Sequence, residues 1–495
     1  MLTGIDLSAI GLYAGLVLAV GLYSGRGHQR ALDLQLGGRE LPLWAVLCSM
    51  VATELSAATF IGVPHAAFTG DWSYLQLACG ALLGKWLVAF TIVPLYYRLR
   101  ITTVYGFLGG RFGGATRRVS ALCFIGGRLL ASGVRLFIAA LAFSAATGWD
   151  LSSAIVACGL IAGLYTLAGG IRAVVWTDTV QAAVFLLGAI MLLIGLSSTA
   201  PGGLAEILAW ADDTHRSTIL HTTPFWALAS TQPFGVGLAG GFFLTLATHT
   251  TDHDMVQRLL CTRSGRSGGM ALGLSALLNF PLTLLFLLIG TALAFSVTHA
   301  PPAFDLGDTT QIVPLYALHH LPSGARGIVF AGLFAAAMSS LDSAICAMAT
   351  TWTSDLAGRV DDDARTVRRT RWASAVFCGL LIACALAMAA YHRALATHSE
   401  PGGVLNLVEF ALSSMTILYG GLLGVFGWAL LRGRTSDRAG VSALVSGVAV
   451  GALLFLHPLA LGQTYIAWAW WIPISAACTW LVLALCTGAT RSRNS

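Results

Sequence analysis

Long apolar runs recur along almost the whole chain, and they limit its fold more than any other feature. Thirteen of them are long enough to cross a bilayer: residues 8–24, 44–69, 73–98, 119–146, 151–170, 174–198, 226–251, 269–297, 327–355, 372–392, 403–431, 439–456 and 465–487. Only 10% of the 495 residues are charged, against about a quarter in a soluble globular protein. The sequence therefore predicts an all-α membrane protein with about 13 transmembrane helices.

The basic residues predict the orientation of these helices. The first run has no basic segment before it and no cleavage pattern after it, so we interpret it as a retained helix. With the N-terminus outside, 22 of the 28 basic residues fall on cytoplasmic ends and loops, and three fall outside. The other three lie within runs: Lys85, Arg128 and Arg135. This asymmetry predicts an outer N-terminus and a cytoplasmic C-terminus in the inner (plasma) membrane, and it explains the +6 charge without nucleic acid.

The ninth run carries oxygen-bearing side chains at membrane depth. Ala336, Ser339, Ser340 and Ser343 are spaced by three or four residues, so they share one face of a helix, and Asp342 lies among them. Hard cations such as Na⁺ prefer oxygen ligands, and a carboxylate in hydrocarbon is costly. We predict a cation site here. The alternative is that the small residues permit close helix packing and the serines bond to the preceding turn.

The second and seventh runs are interrupted by polar and helix-breaking residues. The second contains Thr53, Glu54, Ser56, Thr59, Gly62 and Pro64, and the seventh contains Gly240, Gly241, Thr245, Thr248, His249, Thr250, Thr251 and Asp252. Unwound backbone at this depth is typical of helices that line an ion or solute site. The two runs lie five apart, as expected if runs two to six and seven to eleven are inverted repeats. A kink at Pro64 satisfied by neighbouring helices is the alternative.

Three isolated polar residues lie in other runs. Arg135 shares a helix face with Arg128, which is close enough to the cytoplasmic end to snorkel. Arg135 could contact a carboxylate on another helix or a carboxylate of the solute. Asp178 could face the ninth run, pair with Arg172 or cap a helix. Asn279 has no evident partner.

Several functional classes find no support in the sequence. The ten cysteines occur singly, without metal-binding spacing, and are typical of buried apolar positions. There is no Walker A motif and no constellation of nucleophile, acid and base. We therefore expect neither ATP-driven transport by this chain nor an enzyme.

Five short motifs, in this order, carry a family resemblance: LGGRELP, SAATFIGVP, GGIRAVVWTD, DHDMVQR and AAAMSSLDSA. Together they resemble the sodium/solute symporter family, which includes the sodium/galactose, sodium/proline and sodium/sialic acid symporters. The resemblance implies a LeuT-type five-plus-five inverted repeat. It assigns residues 1–43 to an extra helix and cytoplasmic link, 44–198 to the first five-helix repeat, 199–431 to the second inverted repeat, and 432–495 to two peripheral helices.

The resemblance also implies sodium ligands. The family's sodium site falls on the carbonyls of Ala52, Leu55 and Ala336 and on the hydroxyls of Ser339 and Ser340. Glu54 is expected to tune this site from beside it. A second sodium site would fall on Asp178, Ser339, Asp342 and Ser343. Asp342 replaces a hydroxyl residue of the family there, so it could strengthen the site or be protonated instead.

The residues expected at the solute resemble those of the galactose transporters less than those of the other branches of the family. The hydrogen-bonding set of the galactose transporters is missing, whereas Ser56, Thr59 and Arg135 resemble residues of the sialic acid and proline branches. The residues expected at the solute are Ser56, Thr59, Gln76, Arg135, Thr245, Thr248, His249 and Asn279. We therefore expect a small solute with a carboxylate, such as an organic acid, an amino acid or a sialic-acid-like sugar.

The resulting functional hypothesis is Na⁺-coupled symport of that solute by alternating access across the lipid bilayer. A Na⁺/sugar symporter is the nearest alternative. A nutrient receptor with little flux and a channel are alternatives from other classes.

Overall fold

The computed structural model describes residues 2–26, 30–300, 309–358, 363–396, 415–461 and 463–492. Within these ranges the chain is built of helices, and the single β-contact is an isolated bridge between Leu41 and Thr262. The prediction of an all-α protein is confirmed.

Nineteen α-helices make up this part of the chain. They are α1 Gly4–Ser24, α2 Ala31–Leu36, α3 Leu43–Glu54, α4 Ala57–Thr69, α5 Tyr74–Leu87, α6 Val93–Arg98, α7 Val104–Arg111, α8 Gly114–Thr147, α9 Leu151–Ser197, α10 Gly203–Asp213, α11 Phe234–Thr251, α12 His253–Leu259, α13 Gly265–His299, α14 Ile312–His320, α15 Ala325–Thr351, α16 Asp363–Ala396, α17 Thr416–Leu431, α18 Asp437–Leu461 and α19 Trp471–Ser492. Two π-helical turns, Val88–Ile92 and Trp352–Leu356, join α5 to α6 and extend α15.

The predicted number of thirteen membrane spans is approximate. In the described ranges, nine helical spans are long and apolar enough to cross a membrane, and the bent pair α3 and α4 makes a tenth. Each of the thirteen apolar runs nevertheless overlaps a described helix, because α9 contains two of the runs and the shorter α11 and α17 each lie within one; residues 226–233, before α11, are not helical. The first part of the eleventh run, residues 403–414, lies outside the described residues.

Both interrupted runs are broken helices. Between α3 and α4 the helix breaks at Leu55, which has φ −85° and ψ 77°, and the two parts of the span meet at 54°. Between α11 and α12 the break is at Asp252, with φ −88° and ψ 113°. Pro64 lies inside α4, nine residues after the first break, so a proline kink does not explain that break.

A third break divides α9 into the fifth and sixth runs. Gly170 has φ +56° and ψ −150°, a backbone conformation that side chains other than hydrogen rarely allow. A Cβ atom at this position would also lie 2.3 Å from the carbonyl oxygen of Leu34 in α2. Glycine is therefore required by both conformation and space.

Helix α15 lies at the centre of the fold. Of the residues in its apolar window 94% are buried, against 22% for α1 and 33% for α18. It packs most extensively against α9 and also contacts α1, α8 and α16. Its small side chains, including Ala335, Ala336 and Ala337, allow this close approach. The face predicted to bind a cation is therefore enclosed by protein.

Candidate ion and solute sites

The break after α3 lies against the hydroxyl-bearing face of α15. The hydroxyl oxygens of Thr53 and Ser339 are 3.4 Å apart, and Thr53 also donates to the Ser49 carbonyl at 2.9 Å. Ser339 and Ser340 are at most 1% exposed, and the Ser340 hydroxyl lies 3.4 Å from the Ala336 carbonyl. The structure thus brings together the two segments that carry the predicted sodium ligands Ala52, Leu55, Ala336, Ser339 and Ser340. Their binding of sodium stays a prediction.

The carboxylates of the predicted second site are held by different partners. Asp342 accepts hydrogen bonds from the Tyr165 hydroxyl at 2.7 Å and from the Ser343 backbone N–H at 2.6 Å. Asp178 accepts from the Ser49 hydroxyl at 2.5 Å, and an Arg258 guanidinium nitrogen lies 3.3 Å away. The ion-pair partner of Asp178 is thus Arg258, and among the described ion pairs none joins it to Arg172.

These carboxylates belong to a larger buried cluster. Arg258 contacts a side-chain oxygen of Asp254 at 2.7 Å, and Arg128 pairs with both Asp254 and Asp252, the latter at 3.0 Å. The Tyr419 hydroxyl donates to Asp252 at 2.6 Å. We call the set of four aspartates and two arginines the aspartate cluster; its members are Asp178, Asp252, Asp254, Asp342, Arg128 and Arg258.

The aspartate cluster has more carboxylates than cations. It contains four carboxylates and two guanidinium groups, and its side chains are at most 2% exposed. Arg128 is therefore buried in an ion pair, and the interpretation that it snorkels to the cytoplasmic end is wrong. An excess of carboxylates in a site without solvent favours the binding of a cation.

A second buried cluster lies on another side of the α3 break. The Glu54 carboxylate pairs with the Lys85 ammonium and accepts a hydrogen bond from the Asn279 amide. Its other oxygen lies 3.0 Å from Nε2 of His249, whose Nδ1 lies 3.1 Å from the Thr245 carbonyl oxygen. We call Glu54, Lys85, His249 and Asn279 the Glu54 cluster. It joins α3, α5, α11 and α13 at one carboxylate.

The eight predicted solute residues have different surroundings. His249 and Asn279 contact Glu54, and the Thr59 hydroxyl lies 3.4 Å from the Glu54 carbonyl. Ser56 is the residue before α4, and the Thr248 hydroxyl donates to its own helix at Leu244. The Gln76 amide donates to the Gln232 carbonyl at 3.0 Å. The structure thus places three of the eight at Glu54.

Three of the predicted solute residues have a buried polar atom without a hydrogen-bond partner. These atoms are Nε of Arg135, Oε1 of Gln76 and Oδ1 of Asn279. No ion pair among the described residues includes Arg135. A buried polar atom without a partner costs free energy, so such atoms need an explanation. Hydrogen-bonding groups of a bound polar solute or of ordered water would satisfy such atoms.

Sequence reasoning missed the partners of both clusters. Lys85 was recognised only as a charge within a run. Arg258 is one of the 22 basic residues predicted to lie on cytoplasmic ends and loops, and it is fully buried in α12. For Lys85 a signal existed, because an ionisable residue at membrane depth is a functional candidate in itself. For Arg258 none existed, since its depth depends on where α11 breaks.

Among the described residues, no group of three or more His, Cys, Asp or Glu side chains is arranged to hold a metal ion. The predicted sodium sites are of another kind, because they consist mainly of carbonyl and hydroxyl oxygens. Oxygen ligands of this kind suit hard monovalent cations.

Comparison with known proteins gives consistent results. The model of the sodium:solute symporter family matches residues 35–431. The chain is 28% identical over 366 residues to the sodium/sialic acid symporter NanT of Aliivibrio fischeri, covering 73% of this chain and 72% of the relative. It is 30% identical over 352 residues to the sodium/sialic acid symporter SiaT of Proteus mirabilis, covering 70% of each. It is 27% identical to sodium-coupled monocarboxylate transporter 2 of Danio rerio, covering 89% and 70%.

Solved structures share the fold. A substrate-bound, outward-open Na⁺-coupled sialic acid symporter superimposes with a TM-score of 0.86 at 24% identity, over 98% of this chain and 97% of that one. A nucleobase-cation-symport-1 family transporter in a closed conformation gives 0.58 at 15% identity, over 93% and 95%. The resemblance seen in the motifs and the LeuT-type fold are confirmed.

Proposed function

The chain belongs to the sodium:solute symporter family, a family of transporters rather than enzymes, and we propose that the solute it imports with Na⁺ is a carboxylate. As a multi-pass member of this family it resides in the plasma membrane. Within the proposal, the solute is a sialic-acid-like sugar acid or a smaller organic acid. The N-terminus is outside and the C-terminus cytoplasmic.

The observation that carries the proposal is the state of Arg135. Its Nε is buried without a hydrogen-bond partner, and no described ion pair includes it, although the charges of Asp252 and Asp254 act on it from a greater distance. A guanidinium inside the membrane needs an anion, and a planar carboxylate matches its geometry. The solute supplies that anion in our proposal.

Two further atoms narrow the chemistry of the solute. Oε1 of Gln76 and Oδ1 of Asn279 are acceptors without donors, so the solute should carry hydroxyl or amide donors beside its carboxylate. Sialic acids carry both kinds of group, whereas the simplest monocarboxylates lack most donors. The names of NanT and SiaT support the same preference.

The proposed ion sites follow from the geometry around the break. One Na⁺ is held by the carbonyls of Ala52, Leu55 and Ala336 with Ser339 and Ser340. A second cation is held by Asp178, Asp342, Ser339 and Ser343, where the aspartate cluster lacks positive charge. Solute and ions then stabilise each other's binding, typically by about 1–3 kcal/mol, before the helices rearrange and open inward.

The proposal is tested with purified protein in liposomes. Under an inward Na⁺ gradient, uptake of sialic acid, lactate, proline and galactose is compared, with counterflow of labelled solute as a check for true transport. We expect carboxylates to be taken up and galactose not. Binding without counterflow would indicate a receptor instead.

Arg135 provides the residue-level test. Arg135→Gln should lower the specificity constant for a carboxylate solute by about a hundredfold or more, since an unpaired buried charge costs about 3–5 kcal/mol. Sodium-induced thermal stabilisation should persist, because the sodium ligands are intact. Arg135→Lys is the matched variant that keeps the charge but loses the planar fork. An unchanged solute affinity in Arg135→Gln would remove this residue from the pocket.

A further inference from the structure

Lys85 is an unusual residue in this chain. It is the single lysine of the 495 residues; the other 27 basic residues are arginines. It lies within the membrane on α5, and its side chain is only 3% exposed. The one lysine of the chain therefore places a compact ammonium ion, rather than a wide guanidinium, at this position.

The ammonium of Lys85 has one charged partner. Among the described residues it forms an ion pair with Glu54 alone, whose side chain is 11% exposed. The other groups on that carboxylate are the imidazole of His249 and the amide of Asn279. The ammonium of Lys85 therefore compensates the negative charge of Glu54, and this positive charge is a permanent part of the protein.

The position of Glu54 next to the helix break indicates what its ion pair with Lys85 does. Glu54 is the last residue of α3, and the next residue, Leu55, is where the helix breaks. A carboxylate at an open break in the membrane interior is itself a ligand for a monovalent cation. In this chain the ammonium of Lys85 stands where such a cation would bind.

We propose that Lys85 acts as a resident cation, a positioning residue whose ammonium replaces a bound ion at Glu54 and holds the α3 break against α5. The inference deepens the proposed function and rests on it, because it concerns the same break. It assigns the exchangeable ions to the side of the break that faces α15. The Glu54 side then stays neutral throughout the transport cycle.

The central experiment is chemical rescue in the purified, full-length protein. Lys85→Ala leaves a small space and an uncompensated carboxylate, so Na⁺-driven uptake should fall at least tenfold and the melting temperature by several degrees. Ethylammonium chloride should restore both, with Na⁺ still required for uptake. Choline chloride at the same ionic strength and ethanol should restore neither, because one is too large and the other uncharged.

A charge-matched variant separates charge from packing. Glu54→Gln combined with Lys85→Gln removes both charges, with a side chain of the same shape at position 54 and a shorter uncharged one at position 85, so its sodium half-saturation should stay within about threefold of the wild-type value. Glu54→Gln alone should be more impaired than the double variant, since it strands the ammonium. Lys85→Arg should also be impaired, because the planar fork does not fit a space made for an ammonium.

The outcomes decide the proposal in either direction. Full uptake by Lys85→Ala would overturn it, as would a folded Lys85→Ala protein that no amine rescues. A double-neutral variant as inactive as Lys85→Ala would overturn it too. The melting-temperature measurement needs no solute, so it tests Lys85 even if the proposed carboxylate substrates prove wrong.

Discussion

The two buried clusters around the α3 break differ in their balance of charge. In the Glu54 cluster one carboxylate is matched by one ammonium, and the remaining partners are an imidazole and an amide. In the aspartate cluster four carboxylates share two guanidinium groups. In the first cluster a side-chain cation matches the carboxylate, whereas the second cluster lacks positive charge. From this difference we propose that a mobile cation binds at the second cluster and not at the first.

The physical reason is the cost of charge in a medium of low polarity. A buried carboxylate needs a cation nearby, and the protein can supply it either as a side chain or as a bound ion. A side chain is permanent, so it suits a structural contact. A bound ion can leave, so it suits a site that changes during transport.

The largest expected effect comes from removing a permanent cation of the aspartate cluster. Arg258→Gln leaves Asp178 without its ion-pair partner and Asp254 with Arg128 alone, so we expect the free energy of unfolding to fall by about 3–5 kcal/mol. Thermal unfolding in detergent measures the loss. Arg118→Gln is the matched control, because the Arg118 side chain is exposed and takes part in no buried ion pair among the described residues; it donates to the Gly114 carbonyl and interacts with Asp437. Equal melting temperatures of the Arg258→Gln and Arg118→Gln proteins would contradict the difference in charge balance between the two buried clusters.

Removing a carboxylate from the same cluster should weaken ion binding instead. Asp342→Asn keeps the shape of the side chain but removes one of the charges in excess, so the sodium half-saturation of uptake should rise about tenfold, equivalent to about 1.4 kcal/mol. Asp355→Asn, on the extension of α15 but outside the cluster, should leave sodium dependence unchanged. A sodium half-saturation in Asp342→Asn equal to the wild-type value would mean that Asp342 does not attract the ion.

A single hydroxyl should have a smaller effect. Ser340→Ala removes one proposed sodium ligand worth about 1 kcal/mol, so uptake should fall about fivefold at low sodium and recover at saturating sodium. Thr350→Ala on the same helix is the control, since the Thr350 hydroxyl bonds Gln257 and not the proposed site. The same sodium dependence in both variants would argue against Ser340 as a ligand.

The smallest effect is expected from an ion pair near the surface. Asp71 lies 2.6 Å from His221 in loops outside the membrane helices. Burial raises the pKa of Asp71, but the hydrogen bonds from Ser73 and the nearby His221 outweigh it, so the pKa lies below its ordinary value of 3.8. Asp71→Asn should therefore cost at most about 1 kcal/mol at pH 7.

The pH dependence of that variant has a defined sign. Because folding lowers the pKa of Asp71, its contribution is full above the unfolded value of 3.8 and disappears as the pH falls through the lower folded value. The wild-type and Asp71→Asn proteins should therefore differ in melting temperature at neutral pH and converge in acid. A difference larger than that of Arg258→Gln would show that burial does not govern the strength of these pairs.

The structural features that depend on residues close together in the chain could be predicted from the sequence. Apolar runs predicted the helices, and polar residues such as Thr53 and Ser56 predicted that the second run breaks. The chemistry of Ser339 and Ser340 predicted an oxygen-rich face. Each of these inferences uses residues close together in the chain.

The sequence could not predict ion pairs between residues that are distant in the chain. Lys85 and Glu54 are 31 residues apart, and Asp178 and Arg258 are 80 apart. Arg258 reaches Asp178 because α11 ends at Thr251, the chain breaks at Asp252, and the side chains of α12 are buried. The position of such a break depends on backbone conformation, and no residue type alone fixes it.

The enclosure of α15 has a consequence for how lipids act on the protein. The proposed sodium ligands on α15 are surrounded by other helices, whereas α1 and α18 have most of their apolar residues at the outer surface. Changes in bilayer thickness therefore act first on the outer helices and should alter the speed of transport more than the affinity for sodium. Sodium-induced shifts in melting temperature should accordingly be the same in thin and thick membranes.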